Sequence, residues 1–259
     1  MEVVLRGGLA SLLAGLGTGV GAFAIFFLRR MSPALETTLL SLAAGIMLAA
    51  AAFSLLLPGL EVAELRGYGE SGAAIVMALS VLAGGGLFWV ANRFVPHEHF
   101  VKGREGPGGP DAVTSRRLWL FIIAICLHNF PEGLAVGAGF GQDDLGASIA
   151  LTVGIAIQNM PEGFVVAAAL VALNYGVRLS FWLALLTGLI EPVGGILGAA
   201  AVALVQPALP WALGLAAGAM IFVVAGEMIP ETHRKGFESR ATLGLLCGFA
   251  LMLLLDGLL

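Results

Sequence analysis

Charge is what this sequence has least of. Only 12% of its 259 residues are Asp, Glu, Lys or Arg, while 59% are apolar, and the mean hydropathy is +0.97. Soluble globular chains carry about 25% charged and about 45–50% apolar residues, so a water-soluble fold is excluded. There is no basic cluster of the kind that nucleic acid requires. Cysteine is limited to Cys126 and Cys247, both within apolar runs. Neither a disulfide framework nor a cysteine-based zinc site has support, and both read as reduced residues buried in helix contacts. Histidine occurs four times and never as His-Glu-x-x-His, so the helical metalloprotease signature is missing and no enzyme is expected.

What the chain does have is long apolar runs. A membrane-spanning helix needs about 20 apolar residues. Eight runs qualify, at about 3–28, 34–57, 72–95, 118–140, 145–173, 179–205, 209–230 and 241–259. The expected fold is an all-α membrane protein of eight transmembrane helices, a single polytopic domain over 1–259. The first run has Arg6 near its start, but it is too long for a signal peptide and lacks a cleavage site. Of the 13 Lys and Arg residues, all but Arg6 and Arg66 fall after the odd-numbered runs: Arg29 and Arg30; Arg93, Lys102, Arg104, Arg116 and Arg117; Arg178; Arg234, Lys235 and Arg240. Basic connections stay cytoplasmic, which places both termini outside the cell (inner) membrane. The one long connection, about 96–117, is rich in Gly, Pro and charge around 102–111 and is expected to be flexible and cytoplasmic. His97-Glu98-His99 opens it, read as a solvated helix end, with a weak metal-handling site as the alternative.

The polar residues inside the apolar runs carry the chemistry. His128-Asn129-Phe130-Pro131-Glu132-Gly133 interrupts the fourth run near its middle. A near copy, Gln158-Asn159-Met160-Pro161-Glu162-Gly163, interrupts the fifth. Ionisable residues at such depth mark an ion or substrate pathway by default. Successive runs cross in opposite directions, so the two motifs meet at one depth about a two-fold axis in the membrane plane, as in transporters built from inverted repeats. His128 and Glu132 share a helix face at i, i+4, as do Gln158 and Glu162, with Asn129 and Asn159 on adjoining faces. Pro131 and Pro161 remove backbone donors and are expected to kink their helices, freeing carbonyls that a polar cavity must satisfy. Gly133 and Gly163 suit close helix approach. Glu191-Pro192, midway along the sixth run, adds a third acid beside a third proline. One imidazole, three carboxylates and three amides form a mixed nitrogen and oxygen set. It suits Zn²⁺, Fe²⁺, Mn²⁺ or Cd²⁺ better than Cu(I) or Mg²⁺.

The paired proline motifs, eight runs, outward termini and the connection after the third run resemble the ZIP (Zrt-/Irt-like protein) divalent metal transporters, and their bacterial GufA-type branch most closely. The resemblance covers essentially the whole chain. It implies uptake of zinc into the cytoplasm through two adjacent midplane sites, with the cation as substrate and no prosthetic group. The first site would use His128, Glu132, Gln158 and Glu162, with Met47 as a nearby soft ligand. The second would use Asn129, Asn159 and Glu191, with Glu132 and Glu162 bridging. Ser54 would lie on the pathway, and Glu227, near the cytoplasmic end of the seventh run, would relay the departing ion. Many family members have His at the Gln158 position and some have Asp at the Asn159 position, so the neutral amides here weaken the ligand field.

The same residues admit other readings. A proton- or sodium-coupled carrier of a small organic solute would use the same carboxylates around a larger cavity. A metal-selective channel would share the ligands. Glu231 and His233 read either as exit ligands or as a polar helix end, and Asp256 as an entrance charge or a helix cap. Glu61, Glu64, Glu70, Asp143 and Asp144 form an acidic outer face that would concentrate cations. Gly17-x-x-x-Gly21 suits tight helix contact within one subunit or across a homodimer.

Overall fold

A chain of mostly apolar residues with few interrupting charges must satisfy its backbone internally, and almost all of it becomes helix. The computed structural model describes residues 1–28, 31–94, 97–99, 103–105, 114–142, 144–172, 175–234 and 236–258. Of the residues singled out above, Arg29, Arg30, Lys102, Lys235 and Asp143 lie outside this set, as do the side chains of His97, Glu98, His99, Arg104, Arg116 and Arg117.

Helix α1 (Glu2–Phe23) runs into a 3-10 turn, Ala24–Phe26. Ser32 caps α2 (Pro33–Ala49) by accepting the Leu35 N–H at 3.2 Å, and Pro33 sits in the first turn, where a missing donor costs nothing. The helix widens into a π segment at Ala50–Leu56, continues as α3 (Leu57–Ala63) and widens again at Glu64–Tyr68. Gly67 and Gly69, at φ 88° and 66°, take the left-handed conformation open to glycine. There the chain turns back into α4 (Gly69–Phe94), which packs against α3. The second helical run therefore extends about ten residues beyond its expected end near Leu57.

A short antiparallel hairpin follows, β1 (His97–His99) with β2 (Gly103–Glu105), His97 opposite Glu105. It lies within the connection expected to be flexible. Helix α5 (Thr114–Gly139) encloses Pro131, and α6 (Leu145–Ala172) encloses Pro161. Next come α7 (Val177–Gly188) and α8 (Glu191–Leu204), then α9 (Leu209–Val223) after a 3-10 turn at Gln206–Ala208. A π segment at Val224–Met228, α10 (Ile229–Thr232) and α11 (Glu238–Leu258) complete the chain.

Six stretches among the described residues are long and apolar enough to cross a membrane, and one of them, Pro33–Ala91, is 59 residues long. The sixth apolar run is not one helix as expected. It breaks at Leu189 and Ile190, directly before Glu191. Pro192 has no N–H to give the carbonyl four residues back, so the helix restarts instead of continuing.

The helices sort into two bundles. In the first, α1 packs on α5, α6, α7 and α8, and α5 packs on α8. In the second, α2 packs on α11, α4 on α9, and α3 on both α4 and α9. The bundles meet where α6 faces α2 and α5 faces α9. Backbones approach closely inside the first bundle. A Cβ at Gly133 would run into the backbone of Glu191, one at Gly163 into that of Thr18, and ones at Gly17 and Gly21 into those of Ala156 and Met160. The Gly17-x-x-x-Gly21 pattern is thus spent on α6 of the same chain. Both cysteines are free; Cys247 faces outward from α11, so it does not fill a helix contact as expected.

Candidate metal centre

The depth of the two motifs follows from their positions midway along α5 and α6, and the i, i+4 spacing turns their side chains toward one another. His128, Glu132 and Glu162 each offer a ligand atom within 4.8 Å of the other two. They are the one group of three or more potential His, Cys, Asp or Glu ligands found among the described residues. His128 is 9% exposed, Glu132 0% and Glu162 3%. Neither oxygen of either glutamate has a hydrogen bond of ordinary geometry, although the Gln158 amide lies beside Glu132. Buried carboxylates in that condition cost several kcal/mol unless a cation or donor satisfies them. The arrangement has the shape of a coordination site: converging carboxylate oxygens and one imidazole, all buried.

The surrounding amides divide. Asn129 is fully buried and both of its amide atoms lack partners, and Gln158 leaves Oε1 unpartnered. Asn159 is engaged at every polar atom. Its Nδ2 donates to Glu191 Oε1 at 2.7 Å and to the Ala14 carbonyl at 2.9 Å, and its Oδ1 accepts from Gln158 Nε2 at 3.5 Å. Glu191 is fully buried at the first residue of α8, where the unpaired N–H groups of a helix start favour negative charge. Its Oε2 has no partner.

Glu227 is nearer the centre than its place at the end of the seventh run suggested. The π segment carries it so that Oε2 lies 3.5 Å from His128 Nδ1. Met47 is fully buried on α2, in the main apolar core against which Phe130 and Ile157 of the two motifs also pack. Ser54, in the first π segment, donates to Asp256 Oδ1 at 2.9 Å, and its carbonyl accepts from Gln142 Nε2 at 3.4 Å. Asp256 therefore ties α11 to the second helical run rather than capping its own helix. His233 Nδ1 lies 3.0 Å from the Ile229 carbonyl and 3.2 Å from Thr232 Oγ1, which matches the polar helix-end reading. Asp144 accepts the Ala147 N–H at 3.1 Å and starts α6, while Glu61, Glu64 and Glu70 are exposed.

Two participants had no signal in the sequence. The Ala14 carbonyl is one backbone group among many in a Gly- and Ala-rich helix, and only the fold brings it to Asn159. Gln142 sits in a turn and reaches Ser54 across 88 positions.

Residues 105–256 match the family described as ZIP Zinc transporter. Zinc transporter GufA of Myxococcus xanthus is 45% identical over 249 residues, covering 95% of this chain and 96% of that protein. Zinc transporter ZIPB of Bordetella bronchiseptica is 46% identical over 240 residues, covering 92% of this chain and 76% of its own length. Zinc transporter ZupT of Chlorobium phaeovibrioides is 34% identical over 255 residues, covering 95% of each.

Proposed function

The chain belongs to the ZIP zinc transporter family, and on that premise we propose that it carries zinc across the cell membrane into the cytoplasm, with His128, Glu132 and Glu162 holding the ion midway. It is a multi-pass membrane protein that transports divalent metal. The observation that carries the site assignment is the convergence of those three ligand atoms within 4.8 Å, with four glutamate oxygens buried and unpartnered. Gln158 Oε1 completes this site with Met47 as a soft ligand, and Asn129 stands with both amide atoms unpartnered. On donor chemistry Cd²⁺, Fe²⁺ and Mn²⁺ compete with zinc for this set. Asn159 and Glu191, which the resemblance would assign to a second position, are hydrogen-bonded to each other at 2.7 Å beside this site.

The topology supports eight spans. At about 1.5 Å per residue, the 59-residue stretch would reach about 88 Å, far more than a core of about 30 Å can hold in one pass. Folding back at Gly67 and Gly69 makes it two spans. With α5 added to the six stretches, the count is eight, and the distribution of Lys and Arg puts both termini outside. Pro131 and Pro161 kink α5 and α6 and open backbone carbonyls toward the site. Because Gly17 and Gly21 face α6, a homodimer would use another helix face.

Transport then proceeds by alternating access. The bundle carrying both motifs moves against the bundle of α2, α4, α9 and α11, and Glu227 on the second bundle receives the ion from His128 as the inner side opens. Uptake of zinc, cadmium, iron and manganese into proteoliposomes tests the reading. Saturable zinc uptake is expected, lost in Glu132→Ala. Zinc uptake by that variant at the normal rate would sink the site assignment.

A further inference from the structure

The two motifs look alike in sequence, yet their asparagines are in opposite conditions. Asn129 is buried with both amide atoms unpartnered. Asn159 is equally buried, but both donor hydrogens go to protein acceptors, Glu191 Oε1 and the Ala14 carbonyl, and Oδ1 accepts from Gln158. An amide nitrogen has no lone pair to give a metal, and its hydrogens carry partial positive charge. A cation between Asn159 and Glu191 would therefore meet donors where it needs acceptors. Turning the amide over would aim Nδ2 at Gln158 Nε2, itself a donor, and would set Oδ1 against the Ala14 carbonyl and Glu191 Oε1, so a second cation could enter only if the amides of Asn159 and Gln158 turned together. Each buried group left unsatisfied costs about 1–3 kcal/mol.

We propose that the Asn159 amide fills the second cation position of this site, so that each protein carries one divalent cation and not a bridged pair. The amide does what a second ion would do there. It supplies positive charge to Glu191 in a low-dielectric interior, and it joins α6 to α1 and to the broken start of α8, all within one bundle. Asn159 and Glu191 are then positioning residues that hold the first bundle together around the ion. This rests on the site assignment made above.

The structure also states what would restore a second site. A carboxylate at position 159 would replace both donor hydrogens with acceptors, leaving Glu191 and the Ala14 carbonyl facing it across a space that needs a cation.

The test is metal stoichiometry. Full-length protein purified in detergent is titrated with Zn²⁺ and with Cd²⁺ by calorimetry, with bound metal counted by elemental analysis after equilibrium dialysis. The wild type is expected to bind one equivalent, abolished by Glu132→Ala, and Asn159→Asp is expected to bind two. Glu191→Gln is expected to keep one equivalent with affinity within about threefold, since the amide partner survives; it serves as the second variant if Asn159→Asp does not yield a monodisperse protein. Two equivalents in the wild type would overturn the proposal while leaving the central site intact. One equivalent in folded Asn159→Asp, or loss of the ion in folded Glu191→Gln, would also overturn it. No bound metal in the wild type would remove the site assignment, and this proposal would fall with it.

Discussion

His128 Nδ1 and Glu227 Oε2 lie 3.5 Å apart and belong to different bundles. His128 rides on α5 with the converging carboxylates, whereas Glu227 sits in the π segment after α9. Asn159 and Glu191, by contrast, are joined within the first bundle. The polar contacts thus fall into two kinds: one set holds the bundle of both motifs together, and another, His128 with Glu227 and Gln142 with Ser54, reaches from it to its neighbour. A carrier that moves one bundle against the other must keep the first kind and exchange the second.

The ligand assignment predicts unequal damage from unequal ligands. Glu132→Ala and Glu162→Ala each remove two of the unpartnered oxygens, and uptake should fall to the background of empty vesicles. His128→Ala leaves both carboxylates in place and should retain weak uptake, lowered by at least about tenfold. Thermal unfolding in detergent gives an independent readout. Zinc at about 100 times its Kd should stabilise the wild type by about 2.7 kcal/mol, with no shift in Glu132→Ala. Organic solutes should produce no shift in either protein. Stabilisation of Glu132→Ala by zinc to the wild-type degree would contradict the assignment.

For Glu227 the expectation is a change in rate without a change in binding. Glu227→Gln keeps the side chain's size and its capacity to accept a hydrogen bond, but removes the charge proposed to draw the ion from His128. Zinc stoichiometry and affinity should stay within about threefold of wild type, while the maximal uptake rate falls by about tenfold. Uptake kinetics across zinc concentration would check this. A raised KM at an unchanged maximal rate would make Glu227 an ordinary ligand of the resting site.

Much of this arrangement could be read from local patterns in the chain, because a few strong constraints act locally. Lipid allows only self-satisfied backbone, so runs of about 20 apolar residues had few structural options. His128 and Glu132 are four residues apart, so their shared face needed no tertiary information. The helix break before Glu191 was present as Pro192, yet Pro131 and Pro161 are prolines too, and α5 and α6 run through both. Close backbone contact surrounds all three prolines, at Gly133, Gly163 and Gly194, so neither local sequence nor packing marks Pro192 as the one whose helix breaks. The reach of Glu227 to His128 also depends on the extra residue of a π turn, which apolar periodicity does not reveal. The opposite fates of Asn129 and Asn159 were hidden because they turn on a carbonyl 145 residues away.

The close approach of backbones makes a stability prediction at Gly163. A Cβ there would collide with the Thr18 backbone, which cannot rotate aside as a flexible side chain would. Gly163→Ala should cost about 1–3 kcal/mol, the usual range for overpacking, and lower both the melting temperature and the yield of monodisperse protein. Gly86→Ala is the matched control, since a Cβ at Gly86 meets nothing within 4 Å. Equal behaviour of the two variants in a thermal size-exclusion assay would show that α1 and α6 can separate without loss.

Asp256 and Ser54 give a prediction that separates charge from bridging. Ser54 is 1% exposed and donates to Asp256 at 2.9 Å, so the carboxylate is fixed against the second helical run rather than sweeping freely at the end of α11. If its charge draws cations inward, Asp256→Asn should reduce uptake at subsaturating zinc by severalfold. The loss should shrink as salt rises, because screening shortens the reach of a charge to about 8 Å at physiological ionic strength. Ser54→Ala removes the bridge but keeps the charge. It should leave the salt dependence as in wild type and lower stability by about 0.5–1.5 kcal/mol, the net worth of an ordinary hydrogen bond. Initial uptake rates for both variants between low and high salt, together with their melting temperatures, give the comparison. A shared salt-independent defect would mean that the contact acts by holding α11 against the second run, and that the charge of Asp256 contributes nothing to ion capture.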